Sequence, residues 1–493
     1  MTVGDTRRLV LAVVALGLVQ LAWILAIAPF GGLDEPQHVF KAEAVARGDL
    51  SPHHSPAPDG VGQLVVVPDD IVAAAYPACV LDQSRTEAGC RGTDQASGTR
   101  VASSAATYNP VYYAVVGAVA LPFDGTTALY AMRAWSALLC AVITALAITL
   151  LVRRRRGSTL VIASLLVLSP IWAYTSALVA PNGLEMAAAF LLWACLLRLG
   201  STDPLPLARR WLVGLATASA ALLVSLRTLG PLWCAVIVVV CALVADRGRL
   251  RSALGSTAAR GAAALVAGCA AAAVAWSVAA GTNAVAQDQA GYAGSPWYES
   301  AARLSQWAEQ SVAAFPFRNE FAAPIVYLIV FAMWAVAAAH LVRVVRGREL
   351  LTWVALLAVV VGVPFSFTVL TWSANGDVWQ GRYGYPITMG LMLVGGSALA
   401  RRPSGPPDRR TSPLAWTVTG GLVLATSFSF AGVLHRQEIS RVPFGDLGPH
   451  GPPLWLLVAL SAAGLCALTA VLGGTARVVA DADTPTVRSL AHR

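Results

Sequence analysis

Charge is what this sequence has least of. Of its 493 residues only 12% are Asp, Glu, Lys or Arg, against 57% hydrophobic, where a soluble globular chain carries about 25% charged residues. A large water-soluble enzyme is thereby excluded. Lysine is all but missing: Lys41 is the single one, and the rest of the 35 basic residues are arginines. These arginines lie in short clusters between apolar runs. A nucleic-acid-binding surface would need one contiguous basic face, so the net +9 reads as topology signals. Cysteine is sparse too. Cys140, Cys195, Cys234, Cys241, Cys269 and Cys466 sit in apolar runs as small hydrophobes. Cys79 and Cys90 share a polar segment, where they are either a local disulfide in an oxidising compartment or two free thiols. Phosphate-binding glycine loops, zinc spacings and Ser-His-Asp motifs are absent in recognisable form. No internal repeat of the kind that marks many transporters is visible.

What the chain does have is long apolar runs. The first, residues 9–30, follows Arg7 and Arg8. Ala26-Ile27-Ala28 resembles a signal-peptide cleavage site, but the run is long for a signal core and Pro29 would follow the scissile bond. We read it as a retained helix with a cytoplasmic N-terminus. Further runs fall near 126–152, 158–179, 183–199, 211–229, 230–245, 261–282, 321–344, 350–372, 384–400, 413–434 and 454–475. The expectation is an all-α polytopic membrane protein of about twelve transmembrane helices in one domain (1–475), both ends cytoplasmic, with a short inner tail (476–493).

Residues 109–123 decide the parity. They are apolar but too short for an ordinary span, and if they dip into or lie along the outer interface, every arginine cluster falls inside. The outer face then carries the substantial loops: 31–108, 283–320, 373–383 and 435–453. Chemistry, if any, is expected there.

Several polar groups gather on that side. Asp34 and Glu35 sit where the chain leaves the first helix, and helical spacing puts His38 and Lys41 on the face of Asp34. A carboxylate at the bilayer edge can take a proton from a hydroxyl; either residue can equally cap a helix whose first turn holds Pro36. Arg133 lies about 10 Å inside its helix at 1.5 Å per residue, and intramembrane charges face a cavity or a partner. Its role is either functional or a structural pairing with Glu185. Arg227 reads as a snorkelling side chain at a helix end. The loop from Asn375 to Pro386 contains Gln380-Gly381-Arg382-Tyr383, whose guanidinium suits phosphate, while Trp379 and Tyr385 read as interfacial anchors. In 283–320, Trp297, Ala301, Leu304, Ala308 and Phe315 can share one face of a helix capped by Ser295 with Pro296 first. Such a helix would lie on the outer leaflet, covering a lipid groove or serving structure alone. His53-His54, in a Pro-rich patch, is either a metal-binding pair or, as is more usual for exposed histidines, a solvated one.

The string LDEPQHVFKAEAVARGDL resembles the PDEPAHFYRAYQIAEG type of opening in the bacterial membrane family called domain of unknown function 2142. Tyr108-Asn109-Pro110-Val111-Tyr112-Tyr113, Arg133 and Gln380-Gly381-Arg382-Tyr383 follow in the same order. Pro181-Asn182-Gly183-Leu184-Glu185 departs from the pattern, where an Asn-Pro-Asp order is expected. That family looks like the GT-C class of integral-membrane glycosyltransferases. The resemblance implies a lipid-phosphate sugar donor, an acidic residue near the start of the first outer loop, and juxtamembrane helices at 35–47 and 109–123. It implies Asp34 as base with Glu35 in reserve. Arg382 and Arg133 would hold phosphate, with His38, Lys41, Tyr108, Asn109, Gln380 and Tyr383 lining the substrate site. A divalent metal, Mg or Mn, at Asp34 and Glu35 is compatible with this, although no ligand set with diagnostic spacing is visible. Many GT-C enzymes add a soluble C-terminal domain; without one, acceptor recognition would rest on the outer loops.

Three functions follow as expectations. The first is a GT-C-like transferase on the outer face of a bacterial cytoplasmic membrane, moving sugar from a polyprenyl-phosphate donor to a cell-envelope glycan or glycolipid. The second is a transporter or flippase of lipid-linked sugars, although transport sites usually lie at the midplane. The third is an accessory scaffold needing neither Asp34 nor Arg382. Arginine richness with one lysine points to a GC-rich genome.

Overall fold

The computed structural model describes residues 3–32, 34–57, 62–81, 87–95, 98–153, 157–282, 294–315, 320–402, 413–439, 444 and 451–482. In a bilayer each backbone group must be paired within its own segment, and every expected apolar run folds as helix. After α1 (Val3–Ala26) the chain reverses into α2 (Glu35–Ala46). An extramembrane layer follows: β1 (Gln63–Val67), α3 (Asp69–Cys79), α4 (Glu87–Arg91), β2 (Thr93–Gln95), β3 (Gly98–Ser103) and α5 (Pro110–Gly117). The three strands form an antiparallel sheet in the order β1-β3-β2, with Val65 opposite Val101. This sheet departs from the all-helical expectation. Its local signal is the β-branched run Val65-Val66-Val67 stopped by Pro68. Cys79 and Cys90 are bonded, tying α3 to α4 with their Cα atoms 5.7 Å apart.

At about 12 Å, by the helical rise, α5 is too short to span. It packs on α2 instead, so closely that a Cβ on Gly117 would meet the Ala42 carbonyl oxygen at 2.2 Å. Val39, Phe40, Tyr112, Tyr113 and Val116 join Val65, Ile71 and Val101 in one core. The same core reaches Leu129 and Met132 below, so the outer layer is seated on the bundle.

The bundle comprises α6 (Gly125–Val152), α7 (Gly157–Val167), α8 (Pro170–Ser176), α9 (Pro181–Leu199), α10 (Arg209–Leu226), α11 (Gly230–Val244), α12 (Arg247–Leu254) and α13 (Thr257–Ala279). It continues through α14 (Pro296–Ala302), α15 (Leu304–Gln310), α16 (Pro324–Val344), α17 (Arg348–Asn375), a 3-10 turn at Gly381–Gly384, α18 (Tyr385–Ala400), α19 (Pro413–Ile439) and α20 (Leu454–Ala482). Among the described residues nine helices are long and apolar enough to cross a membrane, or ten if α7 and α8 count as one. That pair is bent by 65°, because Pro170 disfavours helical geometry at Ser169. Two more of the expected runs, α11 and α18, are only 15 and 16 residues long. Helix α9 is central, 89% of its apolar window buried, whereas α13 lies at the edge with 6%.

The expected single amphipathic helix is two short ones, broken at Arg303. Trp297, Ala301, Leu304 and Ala308 are exposed, as a face against lipid requires, but Phe315 is buried in the bundle. Ser295 holds the cap position without a side-chain cap bond. Trp379 and Tyr385 are not interfacial anchors either. Both are buried, Trp379 edge-on to Trp233 and Tyr385 donating to the Val167 carbonyl at 2.5 Å.

Candidate functional site

The turn between α1 and α2 is held by one guanidinium. Arg133 Nε and Nη2 donate to the two oxygens of Glu35 at 2.8 and 2.6 Å. Its remaining donors go to the carbonyls of Ile24 (3.2 Å), Ile27 (2.9 Å) and Ala28 (2.9 Å). An arginine has five N–H groups, and all five are engaged, satisfying the orphan carbonyls at the end of α1. Glu35 also accepts from the backbone N–H groups of Gly32 and Val179, both at 3.2 Å. Both side chains are fully buried. This corrects two expectations. Glu35 is no reserve base and Arg133 no phosphate ligand; they are a structural pair, and the partner of Arg133 is Glu35 rather than Glu185. Both oxygens of Glu35 already serve a cation, so Glu35 does not fit a metal ligand beside Asp34. Among the described residues no three His, Cys, Asp or Glu side chains cluster to hold a metal. His54 is engaged with Asp49 at 2.8 Å.

Asp34 is placed differently. It stands at the N-cap position of α2 with φ of 56° and makes no side-chain cap bond. A left-handed φ is tolerated by Asp better than by most residues, at a cost of order 1 kcal/mol. The turn aims its half-exposed carboxylate at Arg382, whose Nη2 lies 3.4 Å from Oδ2. The two residues are 348 positions apart in sequence.

Tyr383 organises the cations. The Arg227 guanidinium lies 4.6 Å and that of Arg382 5.3 Å from its ring centroid. Arg227 also lies 5.5 Å from the ring of Tyr108 and donates to Asn182 Oδ1 at 2.7 Å. His38 shares a 2.8 Å hydrogen bond with Tyr113 through Nδ1. Burial, then Arg227 and Arg382, push its pKa down to about 3, so the imidazole is neutral at ordinary pH. Burial likewise holds the hydroxyls of Tyr108 and Tyr113 above their usual range.

The loop that carries Arg382 is clamped from α15. Gly381 N–H donates to Gln310 Oε1 at 2.9 Å, and Ser311 Oγ donates to the Gly381 carbonyl at 3.2 Å. A Cβ on Gly381 would meet the Trp307 carbonyl oxygen at 2.0 Å. Arg303 adds an ion pair with Asp377 at 3.2 Å.

A cavity of about 590 Å³ opens beside these residues. Tyr108, Asn109, Arg227, Trp379 and Tyr383 line it, with Glu185 at the start of α9. Its walls come from the ends of α9, α10, α11, α13 and α17 that share one end of the bundle. The following turns of α9, α10, α11 and α13 line a second, apolar cleft of about 520 Å³, which runs towards Arg209 and Arg249 at the opposite end.

Of the residues expected from sequence, Tyr108, Asn109 and Tyr383 line the cavity, and Asp34 and Arg382 adjoin it through Tyr383. Asn109 also caps α5, accepting from Val111 N–H at 3.1 Å. His38 stands behind, against Tyr108 and Tyr113. Lys41 is wholly buried, its Nζ without a hydrogen-bond partner among the described residues, and is not part of the cavity wall. Gln380 is buried, with its backbone carbonyl accepting from Tyr383 N–H. Arg227, read as snorkelling, instead faces the cavity. Asn182, at the start of α9, holds it there.

The family described as "Predicted membrane protein (DUF2142)" matches residues 17–391. Among curated proteins nothing matches. The chain is similar in structure to ArnT from Cupriavidus metallidurans bound to undecaprenyl phosphate, with a TM-score of 0.44, 14% identity, and 95% of this chain and 77% of that chain covered. For ArnT from the same organism in the apo state the corresponding values are 0.40, 14%, 92% and 75%.

Proposed function

We propose that this chain, which belongs to the DUF2142 family of predicted membrane proteins, transfers a sugar from a polyprenyl-phosphate donor to an envelope glycan or glycolipid on the outer face of the bacterial cytoplasmic membrane. The observation that carries the reading is a carboxylate free of capping duty, Asp34, set 3.4 Å from one of two guanidiniums that share the Tyr383 ring. Asp34 takes the proton of an acceptor hydroxyl while that oxygen bonds to the anomeric carbon. The bond from that carbon to the phosphate oxygen breaks, and polyprenyl phosphate leaves as an anion held by Arg382 and Arg227. The leaving phosphate needs no proton, so the paired acid of glycosidases is unnecessary. No step requires a metal. The hydrocarbon chain of the donor would lie in the apolar cleft that continues the cavity.

The orientation rests on charge and redox chemistry. Arg346, Arg348, Arg401 and Arg402 gather at the end away from Asp34, where cytoplasmic arginines belong. The Cys79–Cys90 disulfide lies in the layer that covers the site end, as an oxidising compartment requires. Both termini are then cytoplasmic.

The apolar cleft would also suit a lipid flippase, and one experiment separates the two. Wild type, Asp34→Asn and Arg382→Ala are compared in vesicles supplied with radiolabelled polyprenyl-phosphate sugars. Transfer predicts release of free polyprenyl phosphate, abolished in Asp34→Asn and lowered about 100-fold or more in Arg382→Ala. Label crossing the bilayer still attached to its lipid would overturn the transferase in favour of the flippase.

A further inference from the structure

Among the described residues Glu185 is the one carboxylate that lines the cavity. It is 1% exposed, and what it touches besides protein is the cavity. Among the described residues no hydrogen bond or ion pair engages it, Arg227 acting on it only through charge at longer range. A buried carboxylate without donors is costly, so its two oxygens call for donors brought by a ligand.

The fold holds it there deliberately close. Gly183 lets the start of α9 approach α8, since a Cβ on Gly183 would meet the Thr175 carbonyl oxygen at 2.5 Å. The start of α9 is therefore buried, with Glu185 in its second turn. Asn182 nearby fixes Arg227 and leaves its own Nδ2 without a hydrogen-bond partner among the described residues. The neighbouring walls are aromatic: Tyr108, Tyr383 and Trp379.

We infer that Glu185 is a specificity-determining residue that reads the sugar of the donor, accepting hydrogen bonds from adjacent hydroxyl groups of a glycosyl unit laid against these rings. An anionic phosphate is drawn to Arg227 and Arg382, which leaves the sugar towards Glu185 and the aromatic walls. The inference rests on the lipid-phosphate-sugar reading of the site, but its test does not need transfer to occur.

Trp379 and Trp233 line the cavity, so quenching of tryptophan fluorescence measures binding directly. Bare polyprenyl phosphate and polyprenyl phosphates bearing a neutral hexose or pentose are titrated into Asp34→Asn protein, with and without Glu185→Gln. With Glu185 present, at least one sugar-bearing lipid should bind about tenfold or more tighter than the bare lipid, the scale of hydrogen bonds to a buried charge. With Glu185→Gln that ratio should fall towards one, while affinity for the bare lipid is kept or improved. A ratio unchanged by Glu185→Gln overturns the inference, as does the absence of any preference for a sugar-bearing lipid when Glu185 is intact. Glu185→Gln is isosteric, and an unchanged thermal midpoint confirms that it folds. Sugar-dependent binding without transfer in wild type would sink the transferase while leaving the role of Glu185 standing.

Discussion

His38 and Asp34 stand four positions apart in one helix-compatible stretch, yet their surroundings ask opposite things of them. Asp34 is half-exposed and faces a cation; His38 is buried with two guanidiniums near it. The consequence is a pH dependence with a definite sign. Above pH 6.5 His38 is neutral folded or unfolded. Between 6.5 and about 3 the unfolded chain binds a proton that the folded imidazole refuses, so stability is lost as pH falls. At pH 5 this group alone should cost about 2 kcal/mol relative to pH 7. Thermal unfolding of wild type and His38→Gln in detergent at both pH values checks it: the drop should be larger in wild type, and equal drops would refute it. At this scale residue type and position, after the first helix and in a short loop, single out Asp34 and Arg382, but their 3.4 Å approach across 348 positions was not legible. Nor was the partner of Arg133. Two carboxylates, Glu35 and Glu185, lay near enough in depth, and only the reversal after α1 decides between them.

At the scale of elements, the arginine loop depends on a helix it does not belong to. Gly381 is pressed against the backbone of Trp307, whereas Gly384, three residues on, has only a Trp379 side-chain atom 3.6 Å from where a Cβ would be. Gly381→Ala should therefore push the loop off α15, displace Arg382 and reduce turnover as far as Arg382→Ala does, with a stability loss of about 1–3 kcal/mol. Gly384→Ala should be tolerated. Turnover and thermal midpoints of the two variants make the comparison, and a benign Gly381→Ala would show the clamp to be irrelevant. The apolar runs announced the long helices because bilayer thickness sets their length. The clamp was hidden, because α15 is short and its inward face carries Trp307 and Gln310, neither of which belongs to the apolar face that spacing favoured.

The whole molecule is two layers: a helical bundle and an extramembrane cover made of α2, the sheet and α5. The cover is small, and its one covalent tie is Cys79–Cys90, closing a loop of about a dozen residues. The chain-entropy relation assigns such a loop roughly 3 kcal/mol. Mild reduction should accelerate hydrogen exchange in β1, α3 and β3 while leaving α9 protected; uniform acceleration, or none, would contradict that division. Charge scarcity made the bundle legible. The cover was less so, because its strands are short and its core is shared with helices far away in sequence. Lys41 lies in this cover, wholly buried, and it is the only lysine. Apart from its amino terminus, the folded protein therefore offers no primary amine to an acylating reagent, and a label on Lys41 marks a molecule whose cover has opened.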